Sequence, residues 1–257
     1  MTAGLERAPD WLTARPIAHR GLHDRAAGIP ENTLAAAEAA VAGGYAIECD
    51  VQLSADGEAM VFHDEALGRL TAASERVEAR TAADLGRLAV AGTEERIPTL
   101  AEFLGRVAGR VPVIVEIKSR FDGDRRLTRR TAEIVIEMVA RLDAPVALKS
   151  FDPGIVTTLA EIAPDRPRGI VAEASQDDPH YALLTPLARA ELSGLLHLHV
   201  SRPHFLSWRV GDLPGPVPYL CRRLGQMPVM TWTVRTEAQR ALAQEHADQM
   251  VFEGFRP

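Results

Sequence analysis

Residues 33–52 read TLAAAEAAVAGGYAIECDVQ, and the change of pattern within them decides the fold. The Ala-rich stretch Thr33 to Ala42 predicts a helix, which Gly43-Gly44 ends. Tyr45 to Gln52 follows as a predicted strand. A helix that leads through a short turn into an apolar strand is the repeating unit of a parallel sheet wrapped by helices. The stretch therefore predicts an α/β fold.

The same alternation continues on both sides of this stretch. Eight segments are predicted strands: Ile17-Ala18-His19, Tyr45 to Gln52, Val113 to Lys118, Val146 to Phe151, Gly169 to Ala172, Leu195 to Val200, Val229 to Val234 and Gln249 to Glu253. Seven segments between them are predicted helices: Thr33 to Ala42, Leu100 to Ala108, Leu127 to Leu142, Pro153 to Ile162, Tyr181 to Leu192, Val217 to Leu224 and Glu237 to Glu245. Eight strands joined by seven helices in 257 residues predict a (β/α)8 barrel of the TIM type.

Local signals place several boundaries. Asn32 is interpreted as the N-cap of the first helix, and Asp152-Pro153 as the start of another. Ser54-Ala55-Asp56-Gly57 is a turn sequence, so Ala59 to His63 is predicted to fold back as a hairpin on the second strand.

Two segments lie outside the repeating pattern. Residues 64–98 have mixed polarity and no strong periodicity, so they are predicted to form a small insertion over the barrel mouth, after the hairpin. Residues 1–15 are predicted to be an N-terminal extension. Residues 16–257 then form one barrel domain.

Composition limits the classes of partner. The formal net charge is -6 and the sequence has no polybasic run, so a nucleic-acid partner is not expected. Cys49 and Cys221 form no CxxC pair, so neither a disulfide framework nor a structural zinc site is indicated. The sequence does not decide whether the protein is a homo-oligomer.

Hydropathy limits the location. Met1 to Pro16 lacks a continuous apolar run, so a secretory signal is not expected. Leu34 to Gly44 is the most apolar helical stretch and is shorter than the roughly 20 residues of a membrane span. We therefore expect a cytoplasmic protein with no stable membrane anchor.

Three acidic residues on predicted strands could form a metal site. Glu48 and Asp50 lie two residues apart, so both side chains point to one face of the strand. Glu116 and Lys118 end another strand, where catalytic groups of this fold lie. Like charges side by side are costly unless a cation lies between them, and carboxylate oxygens favour Mg2+ or Ca2+. The alternatives are exposed acids, acids paired with arginine, and a Glu116 to Lys118 surface pair.

Two histidines also end predicted strands. His19 closes the first strand and His63 closes the hairpin, so folding could bring both imidazoles beside the acids. Such a pair could take a proton from an attacking oxygen and give one to a leaving alcohol. Arg20 carries a guanidinium fork that matches two phosphate oxygens. The alternatives are structural histidines and an arginine that pairs with a carboxylate.

Short motifs occur in a fixed order from about residue 16 nearly to the end of the chain. They are His19-Arg20-Gly21, Pro30-Glu31-Asn32-Thr33, Glu48-Cys49-Asp50-Val51-Gln52, Asp56-Gly57, His63-Asp64, Ile97-Pro98-Thr99-Leu100, Glu116-Ile117-Lys118, Ser150-Phe151-Asp152 and Trp232-Thr233-Val234. In this order and spacing they resemble the motifs of the glycerophosphodiester phosphodiesterase family, of the bacterial cytosolic type.

The resemblance implies a metal-dependent phosphodiesterase on a TIM barrel, acting on a small-molecule glycerophosphodiester. It implies that a divalent cation, Mg2+ or Ca2+, is held by the residues matching Glu48, Asp50 and Glu116. His19 and His63 would be the acid/base pair. The substrate-binding residues would be Arg20 and Lys118, at the phosphate, and Trp232, against the glycerol carbons. In the implied mechanism the glycerol 2-hydroxyl attacks phosphorus and expels the alcohol, and water opens the cyclic phosphate to give glycerol 3-phosphate.

The sequence departs from the family pattern in two places. Val251-Phe252-Glu253-Gly254-Phe255 stands where many members have a Thr-Asp-x-Pro ending. Arg235 stands where many relatives have Asn, and we hypothesise that it contacts an anionic part of the substrate.

Other functions stay open at this point. His197 and His199 lie on one face of a predicted strand, which could suggest an HxH zinc site of the amidohydrolase kind, although packing or substrate contact is favoured. A lysophospholipase D would need an apolar groove for an acyl chain. A non-catalytic barrel that keeps its metal is a further alternative.

Overall fold

Strands and helices alternate along the chain. The computed structural model describes residues 7–121, 124–140, 142, 144–174 and 181–257. The strands within these residues are β1 (Ile17–Ala18), β2 (Ala46–Leu53), β3 (Ala59–Val61), β4 (Val113–Ile117), β5 (Val146–Ser150), β6 (Arg168–Ala172), β7 (Phe205–Arg209), β8 (Val229–Val234) and β9 (Gln249–Phe252). The α-helices are α1 (Leu34–Ala42), α2 (Ala82–Leu85), α3 (Leu100–Val107), α4 (Arg125–Ala140), α5 (Pro153–Ile162), α6 (Pro186–Ser193), α7 (Leu198–Ser201), α8 (Pro216–Arg223) and α9 (Glu237–His246). Among the described residues, no helix has both the length and the apolar character needed to cross a membrane.

The sheet closes on itself as a barrel. β1 pairs in parallel with β2 on one side and with β9 on the other, with Ile17 opposite both Ala46 and Val251. The remaining neighbours around the ring are also parallel, and β3 alone among the described strands is antiparallel, paired to β2 outside the ring. The predicted (β/α)8 TIM barrel and its hairpin are therefore confirmed.

One predicted strand is wrong. Residues 195–200 form a turn and the start of α7, and Leu195 has a φ of 54° that no strand residue adopts. The barrel strand at this place is β7, several residues later, with the sequence FLSWR. The apolar run LLHLHV is too short for its periodicity to separate a strand from a helical turn, and it lacks the aromatic residues found in β7.

The first helix begins one residue later than its predicted cap. Thr33 is the N-cap, because its Oγ1 accepts a hydrogen bond of 3.3 Å from the backbone N of Ala36. Asn32, predicted to be the cap, has a φ of 57°, and its side chain contacts Asp50 instead. The other two boundary predictions are confirmed: Asp152 caps α5 by accepting from Gly154 N at 2.7 Å, and α1 ends at Gly43.

The barrel interior is arranged in layers. Its floor is an apolar cluster contributed by successive strands and by Leu12, which lies in the predicted N-terminal extension and is 1% exposed. The strand residues of this floor are Ile17, Ala46, Ile114, Ala147, Phe205, Met230 and Val251. Because side chains alternate along a strand, the residue two positions further on also points inward, closer to the carboxyl end. This register places polar residues above the floor: Glu48, Glu116, Lys149, Ser207, Trp232 and Glu253.

The predicted insertion has an apolar cluster of its own. Residues 64–98 contain α2 and two short 3-10 turns, at Leu67–Arg69 and Val77–Ala79. Their buried side chains pack together with Met60 and Phe62 of the hairpin segment. The apolar contacts of the segment are therefore with β3 and the residues that follow it. Polar contacts also connect it to β2 and the turn after β2, where Gln52 Nε2 donates to Asp64 O and Ala55 N donates to Arg80 O.

Candidate active site

Three carboxylates meet above the floor of the barrel. Glu48 and Asp50 lie on β2, and Glu116 lies on the adjacent β4, opposite Asp50 in the sheet register. One oxygen from each lies within 4.8 Å of the other two, and all three residues are at most 4% exposed. The sequence-predicted acids are thus brought together in a nearly dry position.

Lys118 bridges two of these carboxylates. Its Nζ lies 2.8 Å from Asp50 Oδ1 and 2.6 Å from Glu116 Oε1. Burial raises the pKa of Glu116, but Lys118 and Lys149 outweigh that effect and lower the pKa to about 2. Burial also lowers the pKa of Lys118, while Asp50 and Glu116 more than offset it and raise the pKa above its ordinary value. Both acids therefore stay ionised and the lysine stays protonated at neutral pH.

A second lysine, which the sequence analysis did not single out, lies at the same cluster. Lys149 on β5 is 2% exposed, and its Nζ lies 3.1 Å from Glu48 Oε1 and 3.2 Å from Glu116 Oε2. The available signal was its position two residues after Ala147 of the floor, which points it inward. A lysine buried to this extent needs paired acids, and here it has two.

The cluster fits a hard divalent cation. Glu48 Oε1 is buried and accepts no hydrogen bond of good geometry from any described residue, although Lys149 Nζ is close to it. Three buried carboxylates with one oxygen left without a hydrogen bond form the oxygen-only ligand set that Mg2+ and Ca2+ prefer. Glu48, Asp50 and Glu116 are the residues that could hold such an ion.

Arg20 extends this cluster towards the cavity. Its backbone N donates to Glu48 Oε2 at 3.1 Å, and its side-chain Nε lies 3.5 Å from Asp50 Oδ2. Its Nη1 donates to Glu31 Oε1 at 2.6 Å. The paired carboxylates raise the pKa of Arg20 despite the opposing effect of burial. The guanidinium therefore lies between the acids and the cavity that it lines.

His63 contacts a carboxylate at the start of the insertion. Its Nδ1 lies 2.7 Å from Asp64 Oδ1, and Asp64 accepts from Arg69, which also donates to both oxygens of Glu31. Burial raises the pKa of the Glu31 carboxyl, but hydrogen bonds from Arg69 and Arg20 outweigh it and lower the pKa to about 2. A chain of ion pairs thus connects the insertion to Arg20.

His19 contacts a carboxylate directly after the last strand. Its Nδ1 lies 2.7 Å from Glu253 Oε2, and Arg235 Nη2 donates to the same oxygen at 2.9 Å. Burial raises the pKa of Glu253, but the hydrogen bonds from His19 and Arg235 prevail and lower it to about 2. In the sequence, Glu253 and Arg235 stand out as departures from the family pattern, and Arg235 as a hypothesised substrate contact. Their contact with each other joins two strands and cannot be inferred from the sequence.

The predicted site residues surround one cavity of about 330 Å3 at the carboxyl ends of the strands. Trp232 forms part of its wall, with its ring edge-on to Phe151 at 5.4 Å and its Nε1 donating to Ser207 O at 2.9 Å. The charged and imidazole side chains in the lining are His19, Arg20, Asp50, His63, Glu116, Lys118, Lys149, Arg209 and Arg235. Glu48 lies just beneath, in contact with Lys149.

The HxH interpretation of His197 and His199 is wrong in its geometry. The two residues lie at the start of α7 rather than on a strand, so they share no strand face. His197 Nδ1 lies 2.9 Å from Ser201 Oγ, and burial, with a smaller effect of His199, lowers the pKa of His197 to about 4. Among the described residues, the group with metal-ligand spacing is Glu48, Asp50 and Glu116.

Fold and site together define a class: a (β/α)8 barrel with carboxylates, imidazoles and cations around one cavity at the carboxyl end of its strands. The sequence profile of the Glycerophosphoryl diester phosphodiesterase family matches residues 19–252. The chain belongs to this family of phosphoric diester hydrolases, which confirms the resemblance seen in its motifs.

Similarity to individual proteins supports the family assignment. The chain is 30% identical over 177 residues to a glycerophosphodiester phosphodiesterase of Caldanaerobacter subterraneus, a match that covers 65% of this chain and 70% of the relative. It is 38% identical over 109 residues to YhdW of Bacillus subtilis, covering 40% of this chain and 44% of that protein. The aligned part thus spans less than half of YhdW.

Solved structures show the same fold. An Oleispira antarctica phosphodiesterase, solved in complex with the product sn-glycerol-3-phosphate, superimposes with a TM-score of 0.72 at 23% identity, covering 92% of this chain and 91% of that one. A glycerophosphodiester phosphodiesterase of Thermotoga maritima has a TM-score of 0.68 at 24% identity, with 92% of each chain covered. At these identities the likeness establishes the fold.

Proposed function

We propose that the protein hydrolyses glycerophosphodiesters to glycerol 3-phosphate and an alcohol, with His19 and His63 as the acid/base pair and a divalent cation, Mg2+ or Ca2+, as cofactor. The observation that carries the proposal is that both imidazoles, two of the three acids and the cationic side chains line one cavity of a chain in this family, with Glu48 beneath them. A phosphodiester needs positive charge at its oxygens and a proton donor and acceptor on either side, and the cavity offers all of these groups.

The two imidazoles are arranged alike. Each has a carboxylate at Nδ1, Glu253 for His19 and Asp64 for His63, at 2.7 Å in both cases. Nε2 is then the ring nitrogen that remains for the substrate. One Nε2 takes the proton of the attacking 2-hydroxyl as its oxygen bonds to phosphorus, and the other gives a proton to the leaving alcohol oxygen. The same groups in exchanged roles serve the water that opens the cyclic phosphate.

Cations orient and neutralise the phosphate. Arg20 presents a planar fork suited to two phosphate oxygens, and Lys118 presents a compact charge beside it. A divalent cation bound by Glu48, Asp50 and Glu116 supplies further stabilisation of the charge that builds on the phosphoryl oxygens. Trp232 offers an apolar wall to the glycerol carbons.

The size of the cavity favours a water-soluble diester. Its volume of about 330 Å3 lies at the lower end of the range of ligand pockets, roughly 300–1,000 Å3. Its lining is dominated by charged side chains, whereas an acyl chain would need an apolar groove. Glycerophosphocholine and glycerophosphoethanolamine therefore suit the cavity better than a lysophospholipid does.

The test is an assay of the purified protein on a panel of glycerophosphodiesters and one lysophospholipid, with and without chelator. Glycerol 3-phosphate is detected through a coupled enzyme. We expect turnover of the diesters that chelator abolishes and that Mg2+ or Ca2+ restores. Glu48→Ala and His63→Ala should stay folded and lose about 100-fold or more in kcat, because each removes a group that acts in the transition state.

His199→Ala is the matched control for the histidine variant, since His199 is exposed on α7 and should not affect turnover. Full activity of Glu48→Ala or His63→Ala would contradict the assigned roles. Restoration by zinc but not by Mg2+ or Ca2+ would contradict the proposed cofactor. Metal binding without turnover of any diester would support a non-catalytic barrel.

A further inference from the structure

The two departures from the family pattern contact each other at the edge of the cavity. Glu253 follows β9, and Arg235 follows β8, so neighbouring barrel strands present them side by side. Arg235 Nη2 donates to Glu253 Oε2 at 2.9 Å, and the same oxygen lies 2.7 Å from His19 Nδ1. Glu253 thus contacts the imidazole directly, and Arg235 contacts the same carboxylate oxygen.

The contact has a chemical consequence for the imidazole. A carboxylate only accepts hydrogen bonds, so His19 must carry a proton on Nδ1 to make this contact. In the neutral ring the lone pair then lies on Nε2. A backbone hydrogen bond from His19 N to Phe252 O, 3.0 Å long, holds the start of the residue against the same strand end. The ring is therefore fixed in both tautomer and orientation.

We infer that Glu253 is a positioning residue for His19, held in place by Arg235. The inference rests on the proposed function and deepens it. Glu253 acts through His19, keeping Nε2 unprotonated and directed at the substrate when a proton is to be taken. After that transfer the imidazolium still donates from Nδ1 to Glu253.

The surroundings of His19 are consistent with this role. The other titratable groups that interact electrostatically with His19 or Glu253 are His23, which interacts with both, and Asp50, which interacts with His19. Glu253 is 23% exposed in its side chain, and Arg235 is 53% exposed, so the pair lies at the rim of the cavity rather than in the core. A rim position allows substitution without opening a hole in the barrel.

The experiment combines a structural signal with kinetics. Two-bond 1H–15N spectra of histidine-labelled protein report the tautomer of each neutral imidazole, and a His19→Gln sample assigns the His19 signal. We expect the Nδ1–H tautomer for His19 in the wild-type protein and a shift towards Nε2–H in Glu253→Leu. In Glu253→Leu, kcat should fall about 100-fold, at the lower end of what one acid/base group contributes, with little change in KM.

Glu253→Gln is the conservative rescue. Its amide oxygen still accepts from Nδ1–H, so it should recover at least about tenfold of the lost kcat. Glu237→Leu is the matched control, because the Glu237 side chain is 85% exposed and its ion pair with Arg240 is long, at 3.7 Å. It should leave kcat unchanged.

The outcomes separate this inference from the proposed function. An Nε2–H tautomer of His19 in the wild-type protein would overturn the inference even if Glu253→Leu does not fold. Wild-type kcat in a folded Glu253→Leu would overturn it as well. Absence of any phosphodiesterase activity would remove the proposed function, while the wild-type tautomer would still report whether Glu253 controls the ring.

Discussion

Asn32 and Asp50 exchange two hydrogen bonds: Asn32 Nδ2 donates to Asp50 Oδ2 at 2.9 Å, and Asp50 N donates to Asn32 Oδ1 at 3.3 Å. Asn32 is 3% exposed and adopts a φ of 57°, which asparagine tolerates better than most residues. The amide therefore fixes which Asp50 oxygen is left for a metal or for Lys118.

Asn32→Gly should weaken metal binding, since partners that orient ligands typically contribute about 10–100-fold in affinity. Glycine is chosen because it accepts the positive φ, so the loss reports the side chain rather than backbone strain. Calorimetric titration with Mg2+ and with Ca2+ measures the affinity. An affinity equal to that of the wild type would show that Asp50 needs no such support.

Lys149→Met should make the protein depend on metal for its stability. The substitution removes one cation from between Glu48 and Glu116, and an unpaired buried charge costs about 3–5 kcal/mol. A bound divalent cation restores the balance, so we expect a larger rise in Tm on adding Mg2+ or Ca2+ than in the wild type. Thermal denaturation with chelator and with each metal measures this. Equal shifts in the two proteins would contradict it.

Gly21→Ala should destabilise the protein by about 2–4 kcal/mol, combining the strain of a positive φ with overpacking. Gly21 has a φ of 78°, and an added Cβ would lie 2.8 Å from the backbone of Ala36 in α1. Gly57→Ala is the control, with a φ of 82° and nothing within 4 Å, and it should cost only about 1 kcal/mol. Chemical denaturation measures both, and equal losses would refute the packing argument.

Arg69→Ala should lower the free energy of unfolding at neutral pH, and this loss should become smaller as the pH falls. Glu31 is stabilised as a carboxylate by Arg69, and its pKa is about 2 in the folded protein against an ordinary 4.5. A carboxyl group whose pKa is lowered by folding stabilises the folded state at pH values above its ordinary pKa. That stabilisation is lost as the pH falls through the pKa that the group has in the folded protein. The difference in the free energy of unfolding between the wild type and Arg69→Ala should therefore decrease from pH 4.5 towards pH 2.

Urea denaturation over that range measures the gap. Arg87→Ala, which removes an exposed pair with Asp84, is the control and should change stability by less than about 1 kcal/mol. A gap that stays constant down to the lowest pH would show that Glu31 is not the group responsible.

Arg235→Ala separates two roles for this arginine. If it braces Glu253, kcat should fall by a similar factor for every head group, because the defect lies at His19. If it contacts an anionic part of the substrate, as hypothesised from the sequence, KM should rise only for substrates with an anionic head group. Kinetics across several head groups measure this, and unchanged kinetics would remove both roles.

Local sequence patterns were enough to predict the barrel and the three acids. Period-2 alternation places Glu48 and Asp50 on one face, and the register between β2 and β4 sets Glu116 beside them. The β7 strand was missed because a Leu-rich run of six residues precedes it and carries no reliable period. Strand propensity alone cannot show which of two neighbouring segments, residues 195–200 or β7, is the barrel strand, because packing in the ring determines that.

The contacts that hold the site together are between residues distant in the chain. Asn32 reaches Asp50 only because residue 32 adopts a positive φ, and a cap was the better prediction from its residue type. Glu253 meets His19 across 234 positions in the sequence, where the first and last strands close the barrel. The alternation of side chains along a strand, counted from Ala147 and Val251 of the floor, indicates that Lys149 and Glu253 point inward. It does not show what they contact.

The hairpin β2–β3 gives the two imidazoles different mechanical supports. His19 is carried by the closed ring and fastened to its last strand, whereas His63 follows a strand that lies outside the ring and is tied through Asp64 and Arg69 to residues 64–98. Changes in the length or packing of that segment should therefore displace His63 more than His19, and they can reach the acidic cluster through the ion pairs of Arg69, Glu31 and Arg20.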